Sequence, residues 1–245
     1  MPGAQGATTE MPVAARTAGR AAGRNGRMAR WDRLDLPAID AAVRDAMAHL
    51  PSGSEGDAEA QSRRLMEGYH HVDQLLADRV EIFAYGQAHH LLELNHRVLL
   101  GTTPERRTQF ANHIAETEHW FYDRADTGMS ELDGWYARHR SRDPLTLAGA
   151  AIVQVVSRPQ LFIEGNKRTA VLIASYLLAR DGYPPVVITS EHHAAFTGLT
   201  DRAARIERRG LVGSLQAMLA TRRLVDFLRE TGERRMLREP LPLTR

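Results

Sequence analysis

The chain has 245 residues, enough for one sizeable domain with an extension. It contains no cysteine, which excludes disulfides and thiolate metal sites and fits a reducing cytoplasm. With 32 basic against 30 acidic residues, a net charge of +2 and 6% aromatics, the composition weighs against a nucleic-acid surface. No apolar run approaches the roughly 20 residues of a membrane span.

Residues 1–30 are rich in Ala, Gly and Arg, with Arg16, Arg20, Arg24, Arg27 and Arg30 against a lone Glu10. Such a stretch has too little apolar surface to offset its chain entropy, so a disordered basic tail is predicted. Its charge suits contact with nucleic acid or anionic lipid, or it is a plain extension. Order is expected from near Trp31. Asp35 is placed to cap a helix with Pro37 in its first turn, and Ile39, Val43, Met47 and Leu50 recur at helical spacing. Pro51-Ser-Gly-Ser-Glu-Gly56 is a breaker.

From about Ala58 the pattern is helical almost to the end. Leu75, Leu76, Val80 and Phe83 predict one helix, and Leu91, Leu92, Leu94, Val98 and Leu99 another that stops at Gly101. Thr108 to about Trp120 reads as helical. The mixed stretch Glu118–Asp133 reads as a loop or hairpin, and Leu132, Trp135 and Tyr136 begin a further short helix. Asp143-Pro144 is a helix start, and Leu145–Val156 is apolar nearly all round, which marks a buried central helix. A second apolar helix runs from Asn166 to Arg180 and stops at Asp181-Gly182. A short β-like run, Val186–Thr189, follows, and two or three helices fill Glu191–Arg229. The class is all-α. The expected division is a tail at 1–30, a helical extension at 31–84, a core at 85–230 and a C-terminal tail at 231–245.

Chemistry concentrates in Gln160-Leu-Phe-Ile-Glu-Gly-Asn-Lys-Arg168, between the two apolar helices. Gly165-Asn166 opens the second of them. Free N–H groups at a helix N-terminus and the macrodipole attract anions. Lys167 and Arg168 put positive charge there, which the dipole does not favour for stability alone. Glu164 is a carboxylate beside the same place, and one carboxylate plus substrate phosphates is a usual way to hold Mg²⁺. The plainer reading is a helix N-cap made by Asn166 or Glu164 with solvated cations. His70-His71 and His89-His90 are adjacent pairs and face different ways on a helix, not one metal.

This segment resembles the Fic/Doc family motif His-x-Phe-x-(Asp/Glu)-(Gly/Ala)-Asn-(Gly/Lys)-Arg, with matches at Phe162, Glu164, Gly165, Asn166, Lys167 and Arg168. The resemblance extends over roughly Tyr85–Phe196. It implies a helical bundle with a small β-hairpin flap at Glu118–Asp133 that docks a target segment. It also implies AMP or phosphoryl transfer from ATP or another nucleoside triphosphate to an acceptor on a protein or small molecule. Gly165, Asn166, Lys167 and Arg168 would bind phosphates, Glu164 would hold Mg²⁺, and Phe162 would fix the loop. Lys167, and Val171 where larger members carry a second arginine, look like the Doc branch.

The family's general-base histidine is replaced by Gln160. An amide cannot accept a proton at any useful pH, though it can orient a hydroxyl. Three readings follow: an acceptor that is already ionised, a slow or repurposed transferase in which Gln160, Lys167 and Arg168 act, or a Fic-like pseudoenzyme that binds nucleotide or a partner. His119, His192 and His193 are candidate substitutes for the base. Glu67-Gly68 stands where many Fic proteins carry an inhibitory glutamate, but Arg63 fills the Ser/Thr position of that motif and Ser62 is out of register.

Overall fold

The structure is a computed structural model that describes residues 29–49, 55–124 and 128–238. The disordered tail expected at 1–30 falls almost wholly outside the described residues. Ten α-helices and one 3₁₀ turn make up the described chain: α1 (Leu36–Ala48), α2 (Glu55–Ala77), α3 (His89–Leu100), α4 (Pro104–Gln109), α5 (Ala111–Tyr122), α6 (Gly128–His139), α7 (Pro144–Val156), α8 (Asn166–Arg180), α9 (Ser190–Ala204), α10 (Gly210–Thr231) and the 3₁₀ turn Arg234–Met236. The all-α class expected from periodicity is what the chain adopts.

Helices α7 and α8 form the centre. Every residue of α7 from Leu147 to Val156 is buried, as is every residue of α8 from Thr169 to Arg180. A helix apolar on all sides needs neighbours on all sides. For α8 these are α7, α2 and α3, and for α7 they are α8, α9 and α10. Close approach is bought with small residues: a Cβ on Gly68 of α2 would run into the Leu172 side chain of α8, and one on Gly149 of α7 would lie 3.1 Å from Val225 of α10. Tyr69, Val72 and Leu76 of α2 join the same apolar cluster as Phe162 and Leu177.

The expected caps form. Asp35 accepts from the Ala38 N–H with Pro37 in the first turn, and Asp143 accepts from the Thr146 N–H with Pro144 at the first helical position. Gly101 ends α3 at φ 78°.

Several expectations are corrected. No β-hairpin flap forms among the described residues. Most of Glu118–Asp133 is helical, α5 running to Tyr122 and α6 starting at Gly128, with 125–127 outside the described residues. Thr117 and Phe121 on one helix, and Leu132 and Trp135 on the other, are buried at helical spacing, and that packing outweighs the mixed composition. The β-like run Val186–Thr189 pairs with no strand. Side chains satisfy its backbone instead: the Val186 N–H donates to Ser175 Oγ at 3.0 Å, and the Tyr69 hydroxyl donates to the Val186 carbonyl. Val80 and Phe83 do not continue the helix of Leu75 and Leu76. The chain turns at Arg79, φ 53°, so that the Val80 carbonyl accepts from the Tyr176 hydroxyl at 2.6 Å and Glu81 meets the buried Arg180 at 2.8 Å. The helix expected over Thr108–Trp120 is two, broken at Phe110.

Beyond α10 the chain returns to the N-terminal segment. Met236 is buried, Leu237 bridges Leu34, and the Arg238 N–H donates to the Arg33 carbonyl at 2.9 Å.

Candidate functional site

The loop from Ser157 to Gly165 is a tightly folded link between the two central helices. Its first residue is anchored by Arg208, which donates to the carbonyls of Gln154 (2.8 Å) and Ser157 (2.7 Å) and pairs with Glu131 at 2.9 Å. Arg158 then bridges the chain before α10: its N–H donates to the Ile206 carbonyl at 2.8 Å, and its own carbonyl accepts from the Arg208 N–H at 2.9 Å. Phe162 is fully buried and stacks on Phe121 at 5.4 Å between ring centres.

Asn166 closes the loop. Its Oδ1 accepts from the Phe162 N–H at 2.9 Å, and its Nδ2 donates to the Phe162 carbonyl at 2.8 Å and to Gln160 Oε1 at 3.3 Å. The Asn166 side chain is therefore occupied by the loop, and what Asn166 presents at the helix start is its backbone. Gln160 is held at both ends of its amide, since Nε2 also donates to the Val156 carbonyl at 3.2 Å.

Gly165 sits at φ 74°, where only glycine is comfortable, and a Cβ there would come within 3.0 Å of Asn95 Nδ2 and 3.1 Å of Leu99. Asn95, fully buried on α3, donates Nδ2 to the Glu164 carbonyl at 2.8 Å and to Thr169 Oγ1 at 3.1 Å. The αL turn at Gly165 and the Asn95 bridge together present the first N–H groups of α8 at the end of the loop. By the geometry of any α-helix these have no partner within the helix.

The charged residues diverge from this point. Lys167 pairs with Asp201 on α9, with both side chains nearly half exposed, and the pairing holds the Asp201 carboxyl below the usual carboxylate range. Arg168 turns the other way and donates to the Val98 carbonyl of α3 at 2.9 Å. Burial pushes its pKa down, the nearby Arg64 guanidinium adds to this, and Glu164 opposes it. Arg64, a cation, is thus the α2 residue whose charge bears on Arg168. Glu67 instead lies against α3, its Oε2 2.9 Å from where a Cβ on Gly101 would stand. Glu164 is exposed at the rim. It is a single carboxylate, and among the described residues no group of three or more His, Asp or Glu could hold a metal by itself. That donor set fits a Mg²⁺ ion that takes most of its ligands from a triphosphate.

A cavity of about 560 Å³ opens beside the loop, lined by Trp120, Arg158, Gln160, Phe162, Asp201 and Arg205 among others. Trp120 Nε1 donates to the Gln160 carbonyl at 3.3 Å. Among the described residues, no histidine lines this cavity. His119 is exposed and pairs with Asp123 at 2.6 Å, and His192 contacts Thr189 at 2.9 Å.

Sequence reasoning missed Asn95, Asp201, Trp120, Arg158 and Arg205. Asn95 left a signal, a lone amide on the apolar stripe Leu91-Leu94-Val98. Arg158 lies two residues before Gln160 but outside the motif, and Trp120, Asp201 and Arg205 lie on other helices or their ends, so none left a signal.

The Fic/DOC family model matches residues 85–178 of the chain, the segment that holds the loop and both central helices. Among solved structures the chain is similar to a Fic domain containing signaling protein from Bacteroides thetaiotaomicron VPI-5482, at 16% identity and a TM-score of 0.46, over 80% of this chain and 79% of that one. No curated protein matches. Among the described residues, no helix is long and apolar enough to cross a membrane.

Proposed function

We propose that the chain is a nucleotide-dependent transferase that binds the phosphates of ATP or another nucleoside triphosphate at the start of α8 and passes AMP or a phosphoryl group to an acceptor. The observation that carries this reading is the loop 160–166. It is held by Asn166 and Asn95 against the start of α8, where the first backbone N–H groups of a helix have no partner within it and attract anions. Phosphoryl chemistry relies mainly on positioning and charge, which such a loop supplies. Glu164 would hold Mg²⁺, which neutralises triphosphate charge when bound. Gly165, Asn166 and Lys167 would line the phosphates through the backbone. Gln160 would orient the acceptor.

The double tether on the Gln160 amide supports a second reading, a Fic-like pseudoenzyme that binds nucleotide or a partner without turnover. Calorimetry with ATP and GTP, with and without Mg²⁺, tests the shared premise of binding, and a protein that binds neither sinks both readings. Intact-mass analysis of lysate proteins and small acceptors after incubation with each nucleotide separates them.

A further inference from the structure

The cavity beside Gln160 has a chemistry that the phosphate site does not explain. Two exposed guanidiniums, Arg158 and Arg205, border it, and neither side chain donates a hydrogen bond to another described residue. The one carboxylate in the lining, Asp201, is already paired with Lys167. Arg205 also acts on that carboxylate, so three cations, Lys167, Arg158 and Arg205, share one acidic side chain and the cavity keeps a positive surplus. Apart from Gln160, the rest of the lining is apolar or aromatic, with Trp120, Phe162 and Ile163 the largest side chains. Arg158 is presented from backbone pinned on both sides, at Ile206 and Arg208, so the root of its side chain is fixed at the cavity edge.

The one carboxylate in the lining, Asp201, is engaged by Lys167 and held below the usual carboxylate range, which makes it a poor base for a hydroxyl. Gln160 is an amide with both ends engaged, and no histidine among the described residues lines the cavity. A carboxylate or a phosphate monoester needs no such help, because it is ionised at pH 7. We propose that this cavity is the acceptor site, and that it takes a small anion, a carboxylate or phosphate monoester on an apolar body, whose charged end meets Arg158 and Arg205. This rests on the transferase reading above. The step balances without a proton. An acceptor oxygen attacks a phosphorus of the nucleoside triphosphate and forms a new P–O bond. The anhydride P–O bond on that phosphorus breaks, and pyrophosphate or the nucleoside diphosphate leaves with the electron pair. The product is a mixed acyl–phosphoric anhydride from a carboxylate, or a phosphoric anhydride (P–O–P) from a phosphate monoester.

The test uses the full chain with benzoate, phenyl phosphate and benzyl alcohol as probes, followed by ligand-observed NMR and calorimetry. Benzoate or phenyl phosphate should bind and benzyl alcohol should not. Arg158→Ala and Arg205→Ala should each weaken anion binding at least about tenfold, the scale of a lost charge-assisted contact, with nucleotide affinity unchanged. Arg205→Lys should keep most of it. Equal binding of the neutral alcohol, no loss in either alanine variant, or mutual exclusion of benzoate and ATP would overturn the proposal. Anion binding that depends on both arginines in a protein that binds no nucleotide would keep the anion site but remove the transferase reading. With Mg²⁺–ATP present, hydroxylamine should trap a carboxylate product as a hydroxamate, whereas a phosphate product resists hydroxylamine and is seen by mass. That contrast names the source of the anion.

Discussion

Arg168 sits in the first turn of α8 yet donates to the carbonyl of Val98, near the C-terminus of α3, at 2.9 Å. A cation in a helix's first turn opposes that helix's dipole, and here the negative end of a neighbouring helix offsets it. Arg168 therefore steadies α3 and, under the transferase proposal, would also charge the phosphate site. Arg168→Ala should weaken nucleotide binding at least about tenfold, for a lost charge-assisted contact of roughly 1.5–3 kcal/mol. It should also lower the melting temperature of the empty protein. Calorimetry and a thermal melt read the two effects separately. A variant that melts lower but binds ATP as before would make Arg168 a structural cap only.

Glu164 is exposed, and only its backbone carbonyl is held, by Asn95. Its carboxylate should repel a triphosphate unless a cation lies between them. Nucleotide affinity should therefore fall when Mg²⁺ is chelated. Glu164→Ala should lose that Mg²⁺ dependence while folding normally. Tighter nucleotide binding by the variant with and without Mg²⁺ alike would leave Glu164 with no part in holding metal.

Gln160→His should reintroduce a group that accepts a proton near pH 7. The new side chain is similar in size, and its cost is limited to the two weak amide contacts at 3.2 and 3.3 Å. Transfer to hydroxyl acceptors, read as self-labelling by intact mass, should rise at least about 10²-fold, the low end of general-base catalysis. Transfer to anionic acceptors should not rise. Unchanged self-labelling in a variant that still binds nucleotide would mean that more than the base is missing.

The protein should lose stability in mild acid. Burial pushes His71 down to about 4, with Arg97, His90 and His89 adding to this and Glu93 opposing it, and both ring nitrogens lack a hydrogen-bond partner. Burial also lowers His90 and His96. An unfolded histidine titrates near ~6.5. As pH falls from there toward 4, the unfolded chain takes up protons that folded His71 refuses, so stability drops across that window and is unaffected by this group above it. The carboxylates lowered by their partners, Asp73 and Glu93, act only at lower pH, below the usual carboxylate range. A fall in melting temperature of ~5 °C between pH 7 and 5 is the expected scale. His71→Leu should flatten the slope, and an unaltered slope would assign the effect elsewhere.

The central pair of helices, their caps and the loop between them were legible because each depends on local pattern: continuous apolar runs, Asp143 before Pro144, Gly165 before Asn166. The hairpin was misread because burial of Phe121 and Leu132 by distant partners decided the conformation of Glu118–Asp133, and no local residue type reports that. In the site, the loop residues were visible as a contiguous string. Their roles were less so. Asn166 is expected to bind phosphate, and its side chain is turned onto Phe162, which leaves only its backbone for that role. The cavity was invisible for a related reason: Trp120, Arg158 and Arg205 come from three separate elements, and only the folded chain brings them together.

The bridge from Asn95 to Glu164 and Thr169 ties the loop to α3, and Gly165 leaves no slack between them. Ligand binding to the loop should therefore be felt in a helix that has no ligand to touch. Backbone amides of Leu94 to Val98 should exchange with deuterated solvent more slowly once nucleotide is bound, because opening α3 would require releasing the loop as well. Asn95→Ala should shrink the difference, leaving the Arg168 bond to Val98 as the remaining tie between the loop and α3.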